Sequence, residues 1–203
     1  MEYYLSLITF TFVTGITPGP NNMMLLASGL NHGIRKSMPH YLGICIGFPI
    51  MVAAVGFGLG ALFKEYPSIY SYIKVSGIAY LLYLAWKIGN AGNSRASSKI
   101  RQPLTFTQAA AFQWLNPKAW VMAIGALAAF TMPDNVAQSV AMIIFIYFVM
   151  GFICMAIWLK LGQGLQLFLH SGRRTEYFNI IMAVLLALSV IPMVFTGFGN
   201  VAQ

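Results

Sequence analysis

Charged residues are scarce in this chain of 203 residues, and acidic residues are the scarcest of them. Asp, Glu, Lys and Arg together make up 8% of the sequence, and only four residues are acidic. These four lie at the ends of apolar segments or between them: Glu2, Glu65, Asp134 and Glu176. No pair of carboxylates is therefore available inside an apolar segment for acid–base catalysis.

Cysteine is rarer still, because the chain contains only Cys45 and Cys154, both inside apolar segments. Their positions suggest neither a disulfide framework nor a metal site, so we interpret them as small apolar packing residues. A Gly-rich phosphate loop and a Ser/His/Asp pattern are also missing. These absences argue against an enzyme, and we predict no catalytic residue, no metal site and no cofactor.

Apolar residues are what the sequence has in excess. Hydrophobic residues make up 59% of the chain, and the mean hydropathy is +0.74. Six apolar segments are long enough to cross a bilayer, which takes about 20 residues of helix. They span residues 3–30, 37–63, 68–88, 106–132, 136–159 and 177–198. We therefore predict an all-α polytopic membrane protein with six transmembrane helices and the lipid bilayer as its surroundings.

The net charge of +8 is distributed unevenly between the loops. Nine basic residues lie near the ends of the first, third and fifth segments, whereas only Lys64 and Lys74 lie on the other side. The nine are Arg35, Lys36, Lys87, Arg95, Lys99, Arg101, Lys160, Arg173 and Arg174. By the positive-inside rule this asymmetry predicts that both termini lie outside the cytoplasm. The net positive charge is then explained by the orientation of the chain in the membrane, and no nucleic-acid partner is expected.

One long polar stretch, "GNAGNSRASSKIRQPLT" at residues 89–105, divides the chain. It predicts a mobile cytoplasmic linker within a single membrane domain covering residues 1–203. Residues 1–90 and 106–203 then hold three spans each. Because three is odd, two related halves would be inserted in opposite orientations.

Weak internal similarity supports such a repeat. Thr17-Pro18 and Asn116-Pro117 are 99 residues apart, and each pairs a favoured N-cap residue with a proline at a helix start. Gly47-Phe48 and "AYLLYL" recur 104 residues later as Gly151-Phe152 and "AVLLAL". Each match alone is weak, because Gly and Leu are common in spans, but the shared offset favours two inverted repeats.

The stretches "TPGPNN" and "LNPKAW" place prolines inside the first and fourth segments. Thr17 follows Tyr3 by about 22 Å of helix, which puts the interruption deep in the bilayer. Non-helical backbone at that depth is tolerated only where protein or a water-filled cavity satisfies it. We therefore predict that the first and fourth helices are broken. A simpler interpretation, proline kinks without a site, is disfavoured because two prolines, a glycine and two asparagines are clustered in "TPGPNN" and mirrored by "NPK" in the second stretch.

Broken helices in corresponding positions of two inverted halves are typical of a transporter's binding site. Two helix N-termini would point donors at the same region, with Lys118 adding a positive charge, so a carboxylate is the expected ligand. In the alternative interpretation, Lys118 binds helix C-terminal carbonyls for a structural purpose or reaches towards the interface. The substrate's ammonium group would rely on freed carbonyls and on Asn21, Asn22, Gln113 or Tyr80.

Three stretches together resemble the LysE family of bacterial amino-acid exporters: "TPGPNN", "GIAYLLYLAWK" at Gly77–Lys87 and "FQWLNPKAW" at Phe112–Trp120. The similarity extends from about Tyr3 to Phe195 and is greatest to the branch that exports neutral amino acids such as homoserine, threonine and cysteine. It implies a secondary exporter of the inner membrane of bacteria, coupled to proton entry. The motif residues it identifies are Thr17, Pro18, Gly19, Pro20, Asn21, Asn116, Pro117 and Lys118.

Charge narrows the expected substrate class. A cationic side chain at mid-membrane would find no carboxylate, at a cost of several kcal/mol, so we expect small neutral amino acids, carried by alternating access. The rival hypothesis is a passive pore or a structural membrane subunit, although a pore would favour a ring of like polar residues. The exact substrate, the coupling ion, the residue that would carry a proton and a homo-oligomeric state remain open from the sequence.

Overall fold

The computed structural model describes residues 2–59, 67–90, 102–168, 172–188 and 191. Its seven α-helices are α1 (Glu2–Ile16), α2 (Pro20–Ala54), α3 (Pro67–Gly89), α4 (Phe106–Leu115), α5 (Pro117–Phe130), α6 (Val136–Phe168) and α7 (Gly172–Leu188). A π-helical turn, Val55–Leu59, follows α2, and a 3-10 turn, Pro133–Asn135, precedes α6. No described residue lies in a β-strand, which confirms the all-α prediction for the described ranges.

Local sequence explains where several helices begin. Pro20 and Pro117 are the first residues of α2 and α5, where a missing N–H costs nothing. Helix α4 begins with a capping box, because Thr105 Oγ1 accepts the N–H of Gln108 at 3.2 Å and Gln108 Oε1 accepts the N–H of Thr105 at 3.1 Å. The predicted linker falls mostly on residues 91–101, which lie outside the described residues.

Helix α2 is bent back on itself at Gly33. Gly33 has φ 73° and ψ 172°, a conformation open essentially to glycine alone, so residues 20–32 and 34–54 are two helical rods. A hydrogen bond of 2.7 Å between Ser28 and Ser37 joins the two rods. The predicted loop between the first two apolar segments is therefore a single glycine bend, because helix resumes before Arg35.

The fifth segment is longer than its apolar stretch suggested. Helix α6 continues to Phe168, nine residues past the predicted end at Leu159, and Lys160 lies on its exposed side rather than in a loop. Helix α7 begins at Gly172, five residues before the predicted sixth segment, and so includes Glu176. The predicted bounds were set by hydropathy, which measures only the apolar part of a helix. A helix can continue beyond that part when its polar side chains lie on an exposed face.

Two described stretches, Pro20–Gly58 and Pro133–Leu165, are long and apolar enough for a helix to cross a bilayer. Three more apolar stretches are shorter: Val75–Gly89, Pro117–Phe130 and Glu176–Leu188. Large apolar side chains cover the outside of the helices, including Trp86, which is 61% exposed, and Phe145, which is 62% exposed. Such a surface suits contact with lipid rather than with water.

Helix α2 packs most extensively against α6 and then against α4, and α3 packs against α7. Gly43 and Gly47 allow the close approach of α4, since a Cβ at Gly47 would lie 2.6 Å from the Cα of Ala110. The Gly43/Gly47 pair, spaced as in the GxxxG pattern of closely packed membrane helices, therefore serves a contact within the fold.

Four clusters of buried apolar side chains form the core of the described residues. One joins α1, α2, α5 and α6 through residues such as Leu7, Met51, Trp120 and Ile143. Another joins α2, α3, α4 and α7 through residues such as Met24, Leu81, Phe112 and Leu186. Because Trp120 lies near the start of α5, Met24 near the start of α2 and Phe112 near the end of α4, this packing helps to position those helix ends.

Candidate functional site

The first interruption is the three-residue stretch between α1 and α2. Gly19 is extended, with φ −173° and ψ 179°, and precedes α2 without a side-chain cap for its first N–H groups. The last carbonyls of α1 have donors: Thr17 Oγ1 donates to Thr14 O at 2.9 Å, Asn22 Nδ2 to Gly15 O at 2.9 Å, and Trp158 Nε1 to Ile16 O at 3.2 Å. Side chains thus donate hydrogen bonds to the last carbonyl oxygens of α1, which in a continuous helix would accept backbone N–H groups.

Lys118 reaches this interruption from the other half of the chain. Its Nζ donates to Thr17 O at 2.6 Å and to Thr17 Oγ1 at 2.9 Å, and it lies 3.4 Å from Pro18 O. Asn22 Nδ2 also donates to Thr17 O, at 3.2 Å. The cation therefore lies at the carbonyl end of α1, where the helix dipole is negative. This is the carbonyl contact that the sequence left open as an alternative.

Gly19 is required for that arrangement. A Cβ at Gly19 would lie 2.6 Å from Lys118 Cδ and 3.1 Å from Lys118 Nζ. The stem of Lys118 therefore lies against the Gly19 backbone, and a larger residue would displace it.

The second interruption is a single residue, Asn116, which is 2% exposed. Its side-chain Oδ1 accepts the N–H of Lys118 at 3.1 Å, and its carbonyl accepts the N–H of Ala119 at 2.9 Å and of Trp120 at 3.3 Å. The first donors of α5 are therefore used inside the chain. We expected two helix N-termini with free N–H groups to face one region. In the structure only the start of α2 lacks a side-chain cap, because Asn116 caps α5 whereas Gly19 has no side chain.

A reciprocal amide pair links the two interruptions. Asn21 Nδ2 donates to Gln113 Oε1 at 2.8 Å, and Gln113 Nε2 donates to Asn21 Oδ1 at 3.2 Å and to Ala109 O at 2.8 Å. Gln113 is fully buried. The two residues are 92 positions apart in sequence, so this pair joins the halves directly.

A cavity of about 50 Å³ lies beside the two interruptions. Polar groups of predicted site residues line it, namely Asn21, Asn22, Asn116 and Lys118. No acidic side chain lines this cavity. A volume of this size holds a few water molecules or part of a small solute.

Three side chains that carry a thiol or a phenol group line the cavity without having been predicted: Cys45, Tyr147 and Cys154. Both cysteines are free and buried. Tyr147 donates its hydroxyl to Met122 O at 3.0 Å. The prediction missed them because they come from the second rod of α2 and from α6, and nothing in their local sequence indicates that these elements face the interruptions.

Seven predicted site residues are not among those that line the cavity: Thr17, Pro18, Gly19, Pro20, Tyr80, Gln113 and Pro117. Tyr80 packs its ring against Phe112 at 5.7 Å between centroids. His40 is likewise apart from the lining residues. It is 2% exposed, and neither of its ring nitrogens has a hydrogen-bond partner among the described residues.

The chain is similar to known proteins along most of its length. The LysE type translocator family matches residues 12–195. The cysteine/O-acetylserine efflux protein of Salmonella paratyphi A is 33% identical over 186 residues, which cover 88% of this chain and 90% of that protein. The protein of the same description from Escherichia coli K12 is 31% identical over 185 residues, with the same coverage of both chains. No solved structure matches the chain.

Proposed function

This chain belongs to the LysE type translocator family, and from that premise we propose that it exports small neutral amino acids across the inner membrane of bacteria. It is a membrane transport protein and not an enzyme. The relatives named as cysteine/O-acetylserine efflux proteins support a small, polar, uncharged side chain in the substrate.

The proposed architecture is a six-span bundle of two inverted three-helix halves, with both termini outside. The first span would consist of α1 and residues 20–32, and the fourth of α4 and α5, so each would contain one interruption. The distribution of basic residues supports the orientation. Alternating access would then move the halves relative to each other around the interruptions.

One observation carries the proposed site: the two interruptions, far apart in sequence, are in direct contact beside a cavity. Lys118 binds the carbonyl of Thr17 over a separation of 101 residues, and Asn21 and Gln113 exchange amide hydrogen bonds. Non-helical backbone within a bilayer requires such satisfaction by protein or by a polar cavity. We propose that the substrate binds here, with its carboxylate near Lys118 and the uncapped start of α2.

The lining of the cavity supports a neutral substrate. A lysine or arginine side chain would bring a cation to a lining that has no carboxylate and already has Lys118. Asn21, Asn22 and Asn116 offer amide groups to a polar side chain. Because the cavity has a volume of only about 50 Å³, the substrate side chain is expected to be small as well.

Counterflow into proteoliposomes tests the proposal. Purified full-length protein is reconstituted, the vesicles are loaded with unlabelled L-cysteine under reducing conditions, and uptake of trace labelled L-cysteine is followed. We expect saturable uptake that an imposed pH gradient drives above equilibrium if export is coupled to protons. L-lysine should compete poorly. A flux that does not saturate would indicate the alternative, a passive pore, and no flux for any small neutral amino acid would contradict export.

A further inference from the structure

The Lys118 ammonium lies among oxygen acceptors that all belong to the first interruption. Its contacts are Thr17 O at 2.6 Å, Thr17 Oγ1 at 2.9 Å and Pro18 O at 3.4 Å. Thr17 Oγ1 donates its own proton to Thr14 O, so it presents only lone pairs to Lys118. The group of oxygens is therefore suited to a primary ammonium ion.

Other donors at the end of α1 are fixed in place. Asn22, which donates to Gly15 O and Thr17 O, is 3% exposed, and Trp158 donates its indole N–H to Ile16 O. Lys118 differs from them because its ammonium ends a flexible four-carbon stem. An incoming ammonium ion can therefore gain these oxygens by replacing Lys118 more readily than by replacing Asn22 or Trp158.

An α-amino acid brings such an ammonium ion together with a carboxylate. Since no acidic side chain lines the cavity, carbonyl and hydroxyl oxygens are the acceptors with which the substrate's amino group can pair. Lys118 also lines the cavity, so once it has left Thr17 its charge remains available to the carboxylate.

We propose that the Lys118 ammonium holds the place of the substrate's amino group, and that the bound amino acid inserts between Lys118 and the oxygens of Thr17 and Pro18. The amino group takes over the Thr17 and Pro18 contacts, and the carboxylate receives Lys118. This inference rests on the proposed function and deepens it, because it makes the zwitterion the recognised species.

The exchange requires both charges of the substrate. A ligand with the carboxylate alone competes with Thr17 for Lys118 and gives the Thr17 oxygens no new donor. A ligand with the ammonium alone displaces Lys118 from its oxygen partners and supplies no counter-ion for it. Only a zwitterion supplies a partner to each group that the insertion separates.

Calorimetric titration of the full-length protein in detergent tests this inference with three ligands. These are L-cysteine, N-acetyl-L-cysteine, which lacks the ammonium, and L-cysteine amide, which lacks the carboxylate. We expect L-cysteine to bind at least about tenfold more tightly than either analogue, because each analogue loses a charge-assisted hydrogen bond. Equal binding of L-cysteine and N-acetyl-L-cysteine would overturn the inference, since the amino group would then not be recognised.

The variant Lys118→Met separates this exchange from a simple anion site. We expect it to lose most of the preference for L-cysteine over L-cysteine amide, keeping only what the uncapped start of α2 contributes, and to bind the amide at least as tightly as the wild type does, because the oxygens of Thr17 no longer hold a competing cation. Lys160→Met, which removes an exposed lysine, should keep the wild-type preference. A Lys118→Met protein that keeps the full wild-type preference for L-cysteine over its amide would overturn the assignment of Lys118.

The outcomes remain decisive if Lys118→Met does not fold. In that case Lys118→Arg, which keeps the cation, should retain the preference for acid over amide, and its loss would count against the exchange. If the wild type shows counterflow but binds the three ligands equally tightly, this inference is contradicted while the proposed function stands. Absence of any amino-acid counterflow would contradict both the inference and the proposed function.

Discussion

The side chain of Asn116 caps the N-terminus of α5. Its Oδ1 accepts the N–H of Lys118 at 3.1 Å while the residue itself is buried. Asn116→Ala removes this acceptor and leaves a buried N–H without a partner. We expect the unfolding free energy in detergent to fall by about 1 kcal/mol, the usual effect of losing an N-cap side chain.

Asn116→Ser provides the matched control, because serine also caps helices well. It should retain most of the stability that Asn116→Ala loses, as measured by thermal or denaturant unfolding of both variants. If the alanine and serine variants were equally stable, the cap at Asn116 would not contribute as we describe.

Gly33 determines how the two rods of α2 meet. Its φ of 73° and ψ of 172° lie in a region that costs other residues about 1–3 kcal/mol. Gly33→Ala should therefore destabilise the protein by an amount in this range. Gly164→Ala is the control, since a Cβ there meets no atom within 4 Å and alanine favours the helix. Equal effects of the two substitutions on the melting temperature would refute the bend as a glycine requirement.

The three residues that separate α1 from α2 provide a test at the scale of the element. Pro18→Ala combined with Pro20→Ala removes two residues that each cost about 3 kcal/mol inside a helix, so α1 and α2 can join. In a continuous helix the carbonyls near Thr17 would receive backbone N–H groups, and Lys118 would lose its partners. We expect folded protein and a loss of counterflow.

Pro39→Ala is the control for that double variant, because Pro39 lies inside α2 with an exposed side chain and does not line the cavity. It should transport at close to the wild-type rate. Wild-type counterflow by the double variant would show that the interruption is not needed.

Helix ends were predictable where a single residue dictates them, and unpredictable where tertiary contacts do. Proline predicted the start of α5 at Pro117 because a missing N–H costs no hydrogen bond there, whereas the restart expected at Thr17-Pro18 lies at Pro20, after Gly19. The bend at Gly33 carries no comparable signal, since its conformation depends on the packing of the two rods. The cap at the start of α5 was predicted, because Asn116 is a favoured N-cap residue directly before Pro117, and its Oδ1 accepts the N–H of Lys118.

At the scale of the whole molecule, composition and motifs were enough to predict an all-α membrane transporter of the LysE family. The contact between Lys118 and Thr17 could not be derived from them, because it depends on how two halves of the chain pack. The position of Tyr147 at the cavity could not be derived either. Tyr147 lies in the middle of α6, where the residues before and after it are also apolar or aromatic, so the sequence does not indicate which of them faces the cavity. Hydrophobic periodicity identifies which face of a helix is buried, but it does not identify the helix against which that face packs.

Orientation in the membrane is a further prediction at this scale. Single cysteines replace Ser97 and Asn135 in a background from which Cys45 and Cys154 have been removed. In intact cells an impermeant maleimide should label position 135, in the 3-10 turn before α6, and should label position 97 only after the membrane is permeabilised. Labelling of position 97 in intact cells would reverse the orientation that the basic residues predict.

The central claim is that the transported amino acid binds where Lys118 meets the interrupted first helix. The most direct measurement is the initial rate of L-cysteine counterflow by Lys118→Met in proteoliposomes, beside wild type and Lys160→Met at equal reconstituted amounts. Because Lys118→Met keeps a similar stem and removes only the charged hydrogen bonds, we expect its rate to fall at least about tenfold, while Lys160→Met stays near wild type. A Lys118→Met protein that is folded and transports at the wild-type rate would contradict the account.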